Sequence, residues 1–372
     1  MQVDRPNRQL QMLFWRCLNV RRVFHHGRIA LTSPQNKHPR GRGPTARQVA
    51  ARAGVSISAV SRTYTDGASV APITRKKILE VSQVLGYQPN VMARSLMTGR
   101  TELIGLVSNN FDNPAFMQIF DLFTRGLQKN GLRPLLVNLS ATADPREAVD
   151  MLRQYSVDGV IVASSTVSPK FVNGCIAANI PLVHAFGKAA AKQRHPIVSA
   201  DNVQGGLLAA QALLQHGYRR VAFLGGPEAA SSTQDRLKGF RSGLADKGLA
   251  PLHQVFAPSY SHDDGHALMM LLLKLKNFEA VFCGDDILAL GAIDACIGLG
   301  VSVPSDVGVL GFNDISMASW TSYNLSTIRQ PIAEIIIEAV QLVIALIKNP
   351  DDAIGKKLMP CEVILRGTLR NI

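Results

Sequence analysis

Ser56, Ile57, Ser58, Ser61 and Arg62 form the first group of side chains whose types and spacing could do chemistry. A serine at position 56 can cap a helix that starts at Ile57. Ile57 and Ser58 then sit on its first turn and Arg62 one turn later, all on the outward side. Such a set suits base edges in a major groove, where a guanidinium pairs with guanine O6 and N7 and an isoleucine packs on a thymine methyl. The plain alternative for Arg62 is a surface ion pair.

Enzyme chemistry finds no comparable footing. The sequence holds no GxSxG, no P-loop, no GxGxxG after a strand and no HExxH. His25 and His26 lie in an N-terminal tail, and the other histidines lack metal-ligand spacing. Asp285-Asp286 superficially resembles a carboxylate pair, but neighbours on a strand-to-helix turn diverge, and Asp286 reads as a helix cap. Cys17, Cys175, Cys283, Cys296 and Cys361 are odd in number, widely spaced and free of any CxxC. They suggest neither a disulfide framework nor zinc, and they fit a reducing cytoplasm. No catalytic residue, metal ligand or cofactor is assigned.

The elements around the first group are helical. Thr45 followed by Gln48 is a capping box for a helix over 46–53, and Gly54 permits a tight turn into a second over 57–64. Val49, Ala53, Val55, Val60 and Thr63 face inward. Pro72 opens a third helix, 72–85, where Ala71 offers no capping side chain. A helix-turn-helix meets these requirements, and an ordinary helical hairpin is the rival reading. The formal charge of +13 is concentrated here: residues 1–102 carry 17 basic and 4 acidic side chains, and the remainder 23 of each. A polyanion-binding head on a neutral body has this asymmetry. Residues 1–44 read as a disordered basic extension or the product of a misassigned start.

From Leu103 the texture changes to short apolar runs, each followed by an amphipathic stretch: 103–108, 132–139, 159–165 and 181–186, then 220–226, 253–258, 279–284 and 307–312. This alternation predicts parallel βα units in two open α/β lobes, with a ligand cleft beyond the carboxyl ends of the strands. The expected first lobe covers about 103–198 and 328–355, the second about 199–327 and 356–372. No run of 18 apolar residues suggests a membrane span.

GVSISAVSR, LGYQPNVMARSLMTGRTELIGLV, SADNVQGG, RVAFLGG, RLKGFR, DDILALGA and GFNDI, in this order from Thr45 to Arg370, resemble the LacI/GalR family of bacterial repressors. The resemblance implies a helix-turn-helix headpiece over 45–89, a hinge helix and linker over 90–102, and a two-lobed, periplasmic-binding-protein-like effector domain over 103–372. It implies a homodimer on double-stranded, near-palindromic operator DNA, with tetramers left open and no membrane partner. Ser56, Ser61, Tyr87 and Asn90 match phosphate-contact positions, Ala93 falls in the hinge helix, and Leu96 matches a minor-groove wedge.

For the cleft, the resemblance implies Asn113, Phe116, Phe186, Ser232, Arg236, Tyr260, Asp285, Asn313 and Gln330. Amides, a carboxylate and an arginine beside aromatic faces suit a sugar, polyol or sugar acid. Two departures concern the ligand: Asp285 and Asn313 exchange the family's usual amide and carboxylate, and Phe186 stands where a carboxylate is frequent. A solute-binding protein of the transport type shares the two-lobe fold and is the alternative, though a basic helical head is foreign to it.

If Arg62 reads a base, Arg62→Ala weakens specific DNA binding by roughly 1–3 kcal/mol and spares nonspecific binding. Equal losses on operator and random DNA in a gel-shift titration would refute the role.

Overall fold

The computed structural model describes residues 43–371 except 66, 90–94, 96–97, 110, 112, 140–142, 189–194 and 350–354. The chain divides into two compact units, Met1–Pro89 and Asn90–Ile372.

In the first unit, three helices enclose a small core: α1 (Ala46–Ala53), α2 (Ile57–Thr63) and α3 (Pro72–Leu85). Their ends follow from local chemistry. Thr45 and Gln48 form the capping box, and Gly54 closes α1 in the left-handed conformation at φ 62°. Ser56 Oγ accepts from Ala59 N–H to start α2. Pro72 opens α3 without a side-chain cap, and Gly86 ends it. Val49, Ala50, Ala53, Val60 and Ile78 are buried together. Arg75 braces the turn between α2 and α3, donating to the carbonyls of Thr63 at 2.8 Å and Ala68 at 3.2 Å. Sequence reading did not anticipate this brace.

The second unit begins with β1 (Leu103–Ser108), α4 (Ala115–Lys129), β2 (Arg133–Asn138), α5 (Pro145–Gln154), β3 (Gly159–Ala163), α6 (Pro169–Ala177), β4 (Leu182–Ala185) and β5 (Ile197–Ala200). There follow α7 (Asn202–Gln215), β6 (Val221–Gly225), α8 (Ser231–Ala245), β7 (His253–Phe256), α9 (His262–Leu275), β8 (Ala280–Cys283), α10 (Asp286–Gly298), β9 (Gly308–Asn313) and β10 (Ser326–Arg329). The chain ends with α11 (Ile332–Lys348), β11 (Lys356–Met359) and β12 (Glu362–Ile364).

These strands form two six-stranded sheets, ordered β11-β5-β4-β3-β1-β2 and β12-β10-β9-β8-β6-β7. Pairing is parallel except where β12 meets β10. The chain passes between lobes after β5, after β10 and after β11. Each crossing lies a few residues beyond the expected boundary. Lys356–Met359, expected in the second lobe, pairs with Ile197–Ala200 in the first. β5 is only four buried residues, IVSA, and β10, β11 and β12 are three or four residues long with charged or exposed side chains, so none of the four shows a legible alternation.

The second lobe's core carries a run of aromatic rings. Phe223 and Phe240 both pack on Phe282, with centroids 5.6 and 5.1 Å away, and Phe312 follows at 6.3 Å. Above it α7 and α8 touch backbone to backbone. A Cβ at Gly206 would lie 2.0 Å from the Arg236 carbonyl oxygen, and one at Gly239 1.8 Å from that of Val203. Glycine is therefore required at both positions.

Gly206→Ala should force the two helices apart and lower stability by roughly 1–3 kcal/mol or more, the usual range for overpacking. A denaturant midpoint matching wild type would show that the contact relaxes freely.

Candidate functional site

The carboxyl ends of the strands in both sheets open onto one cavity of about 580 Å³, open solvent at its mouth included. Asn113, Phe116, Phe186, Ser232, Arg236, Tyr260, Asp285, Asn313 and Gln330 all line it. Every side chain assigned to a ligand from sequence is therefore brought to one place. Ser164, Ser165, Ser199 and Asn202 join them and were missed. For Ser164 and Ser165 the signal was available, since both follow the carboxyl end of β3, as Phe186 follows that of β4.

Arg236 is the only charged group of its sign among these lining residues and is 4% exposed. Nε donates to Asn202 Oδ1 at 2.8 Å, an Nη–H donates to the Gly284 carbonyl, and the guanidinium lies 3.7 Å from the centroid of Phe312. Burial pulls its pKa below the ordinary arginine value, against the opposing pull of Tyr260 and Asp285.

Asp285 stands at the N-terminus of α10. One carboxylate oxygen accepts from Ile287 N–H at 3.0 Å; the other accepts from Asn313 Nδ2 at 2.8 Å and Asn113 Nδ2 at 3.4 Å. Gln330 Nε2 in turn donates to Asn313 Oδ1. Burial raises the Asp285 pKa, while these donors and Arg236 favour its charged form.

The two adjacent aspartates do diverge, but with roles other than expected. Asp285, not Asp286, caps the helix. Asp286 is fully buried and ties three elements together, accepting from Thr327 Oγ1 at 2.6 Å and Ile315 N–H at 2.9 Å. Burial drives its pKa up to about 7 despite those two donors. A capping aspartate and its neighbour are indistinguishable without knowing which one the strand end turns inward.

Two lining residues hold unusual backbone. Phe186 has φ 64° and Asn313 φ 125°, in a region that a bulky residue such as phenylalanine rarely adopts. Such positions persist where the surroundings enforce them, and they gather at binding sites.

In the helical unit, Ile57 is 47% exposed, and Ser56, Ser58 and Arg62 are exposed with it. Ser56 Oγ and Ser58 Oγ lie 2.9 Å apart. Ser61 and Tyr87 are half-buried, Tyr87 packing edge-on against Tyr64 at 5.9 Å. Asn90, Ala93 and Leu96 fall outside the described residues, as do residues 1–42. Among the described residues no cluster of metal-ligating side chains occurs and no helix is long and apolar enough to cross a membrane.

Comparison with known proteins adds to this geometry. Residues 45–90 match the model of bacterial regulatory proteins of the lacI family, and residues 210–369 that of the periplasmic binding protein-like domain. The transcriptional repressor PurR of Actinobacillus pleuropneumoniae is 30% identical, the match covering 88% of this chain and 99% of that protein. A cellobiose complex of the transcriptional regulator CelR is 26% identical with a TM-score of 0.67, over 87% of this chain and 99% of that one. The lac repressor dimer bound to operator and the anti-inducer ONPF, 24% identical, has the same fold, with a TM-score of 0.79 over 89% of this chain and 100% of that one. A transport protein is excluded by the match over residues 45–90, and a helical head followed by a two-lobed α/β body is accounted for along its length: the chain belongs to the lacI family of bacterial regulatory proteins, which are DNA-binding regulators of transcription.

Proposed function

We propose that this regulator is a repressor whose operator affinity is switched by a sugar, polyol or sugar acid held between the two lobes. The observation that carries the reading is the convergence of Asn113, Phe116, Phe186, Ser232, Arg236, Tyr260, Asp285, Asn313 and Gln330 on one cavity. Hydroxyl-rich ligands need groups that donate and accept at close spacing, and apolar faces for their C–H surfaces. Serine and tyrosine hydroxyls, amides, and the rings of Phe116 and Phe186 supply both. The cellobiose bound to CelR is consistent with such a lining.

In this reading Ile57, Ser58 and Arg62 meet base edges, and Ser56, Ser61, Tyr87 and Asn90 meet phosphates. Ala93 and Leu96 belong to a hinge segment that orders when two copies sit on DNA, Leu96 wedging between central base steps. The working unit is a homodimer in the cytoplasm, and it carries out no catalysis. A ligand that favours one arrangement of the lobes shifts operator affinity by its differential binding, typically 1–3 kcal/mol.

A thermal-shift screen tests the proposal. At about 100 times its Kd, a ligand of the native cleft adds about 2.7 kcal/mol of stability, a clear rise in melting temperature. The expected hit is a sugar, polyol or sugar acid that also changes operator affinity in a gel shift and raises the melting temperature of Gln330→Ala, which lacks a lining amide, by less than that of wild type. A screen in which only purines or amino acids stabilise the protein would overturn the ligand class.

A further inference from the structure

Two side chains that do not line the cavity face each other across its rim. Lys188 follows β4 in the first lobe, two residues beyond Phe186. Asp235 lies on α8 in the second lobe, beside Arg236 and three residues beyond Ser232. Lys188 Nζ donates to Asp235 Oδ1 at 2.6 Å, and the two side chains are 49% and 21% exposed.

Other contacts also span the lobes away from the crossing strands. Ser165 Oγ and Ser232 Oγ are 3.0 Å apart, and Asn113 Nδ2 reaches Asp285 Oδ2 at 3.4 Å. All four of these residues border the cavity, so an occupant competes for their hydrogen-bonding groups. Neither Lys188 nor Asp235 lines the cavity, so their pair stands outside that competition.

We propose that Lys188 and Asp235 are positioning residues: their ion pair clasps the lobes, sets the balance between open and closed forms, and thereby tunes effector affinity without touching the effector. Only that last consequence rests on the cleft being the effector site. An exposed ion pair contributes little to the stability of a rigid fold. In an equilibrium between open and closed lobes, the same small contribution multiplies the closed-to-open ratio directly. Release would also withdraw the Phe186 ring from the Ser232 and Arg236 side of the cavity, because Lys188 and Phe186 share one short segment.

The test measures the distance between labels on Lys170 and Lys247, one exposed on each lobe, in the full-length protein without ligand. Lys188→Glu and Asp235→Lys should each lower the closed-to-open ratio roughly two- to five-fold. The double variant K188E/D235K should return it to the wild-type value. Salt at about 1 M, where the Debye length is about 3 Å, should open wild type in the same direction and leave K188Q/D235N unmoved. Distances that stay unchanged in both single variants, or in wild type at high salt, would overturn the clasp, as would a double variant as open as the singles. Because no ligand is used, failure of every sugar to bind wild type would count against the cleft reading alone.

Discussion

Burial of the Arg236 guanidinium is the constraint around which the second unit is arranged. A charged group removed from water is strongly disfavoured unless its donors are satisfied and its charge is answered. Here the answer comes from four directions: the Asn202 amide, the Gly284 carbonyl, the face of Phe312 and the field of Asp285. Each fixes part of the fold. Asn202 must sit two residues past the end of β5, at the start of α7, which the glycine contacts at Gly206 and Gly239 hold against α8. Gly284 must end β8 beneath the guanidinium. Phe312 must be the last ring in the aromatic run through Phe282, which sets β9 beside β8.

With both interior charges satisfied by the protein, a ligand meets hydroxyls and amides rather than an open charge. The Asp285 oxygens are occupied by Ile287 N–H and the amides of Asn313 and Asn113. Had the carboxylate stood at position 313 and the amide at 285, the helix N-terminus would have lost its charged cap, and α10 would have been capped by a neutral group. With the carboxylate at position 285, the cleft keeps a charged acceptor where a helix dipole favours it. Asp286 pays the consequence next door, since its own burial is countered only by Thr327 and Ile315.

Much of this was legible in the sequence. The caps at Thr45 and Ser56, the turn at Gly54 and the alternation of apolar runs with amphipathic helices each express one local rule, and local rules survive folding. All the side chains proposed for the cavity could be placed because parallel α/β sheets deliver their strand ends to one side. What remained hidden depends on partners distant in sequence. The crossing strands β10, β11 and β12 are defined by their neighbours in the sheets, not by their own pattern. The different fates of Asp285 and Asp286 are decided by β9 and β10. The Arg75 brace needed the carbonyls of Thr63 and Ala68 to be left without a helical partner.

The helical unit shows the opposite economy. Five buried side chains, three of them valine or isoleucine and two alanine, are a small core, and small cores leave little margin for stability. Local devices compensate: a reciprocal capping box, a left-handed glycine at Gly54, a serine cap and an arginine that ties two carbonyls. These devices hold the backbone of α2 without drawing on Ile57, Ser58 or Arg62. Those three side chains are therefore free to face a surface rather than the core, and changing them alters recognition more than folding. In the cleft no such separation exists. Arg236 and Asp285 hold the lobe together and border the cavity at once, so ligand specificity there is constrained by the same contacts that stabilise the fold.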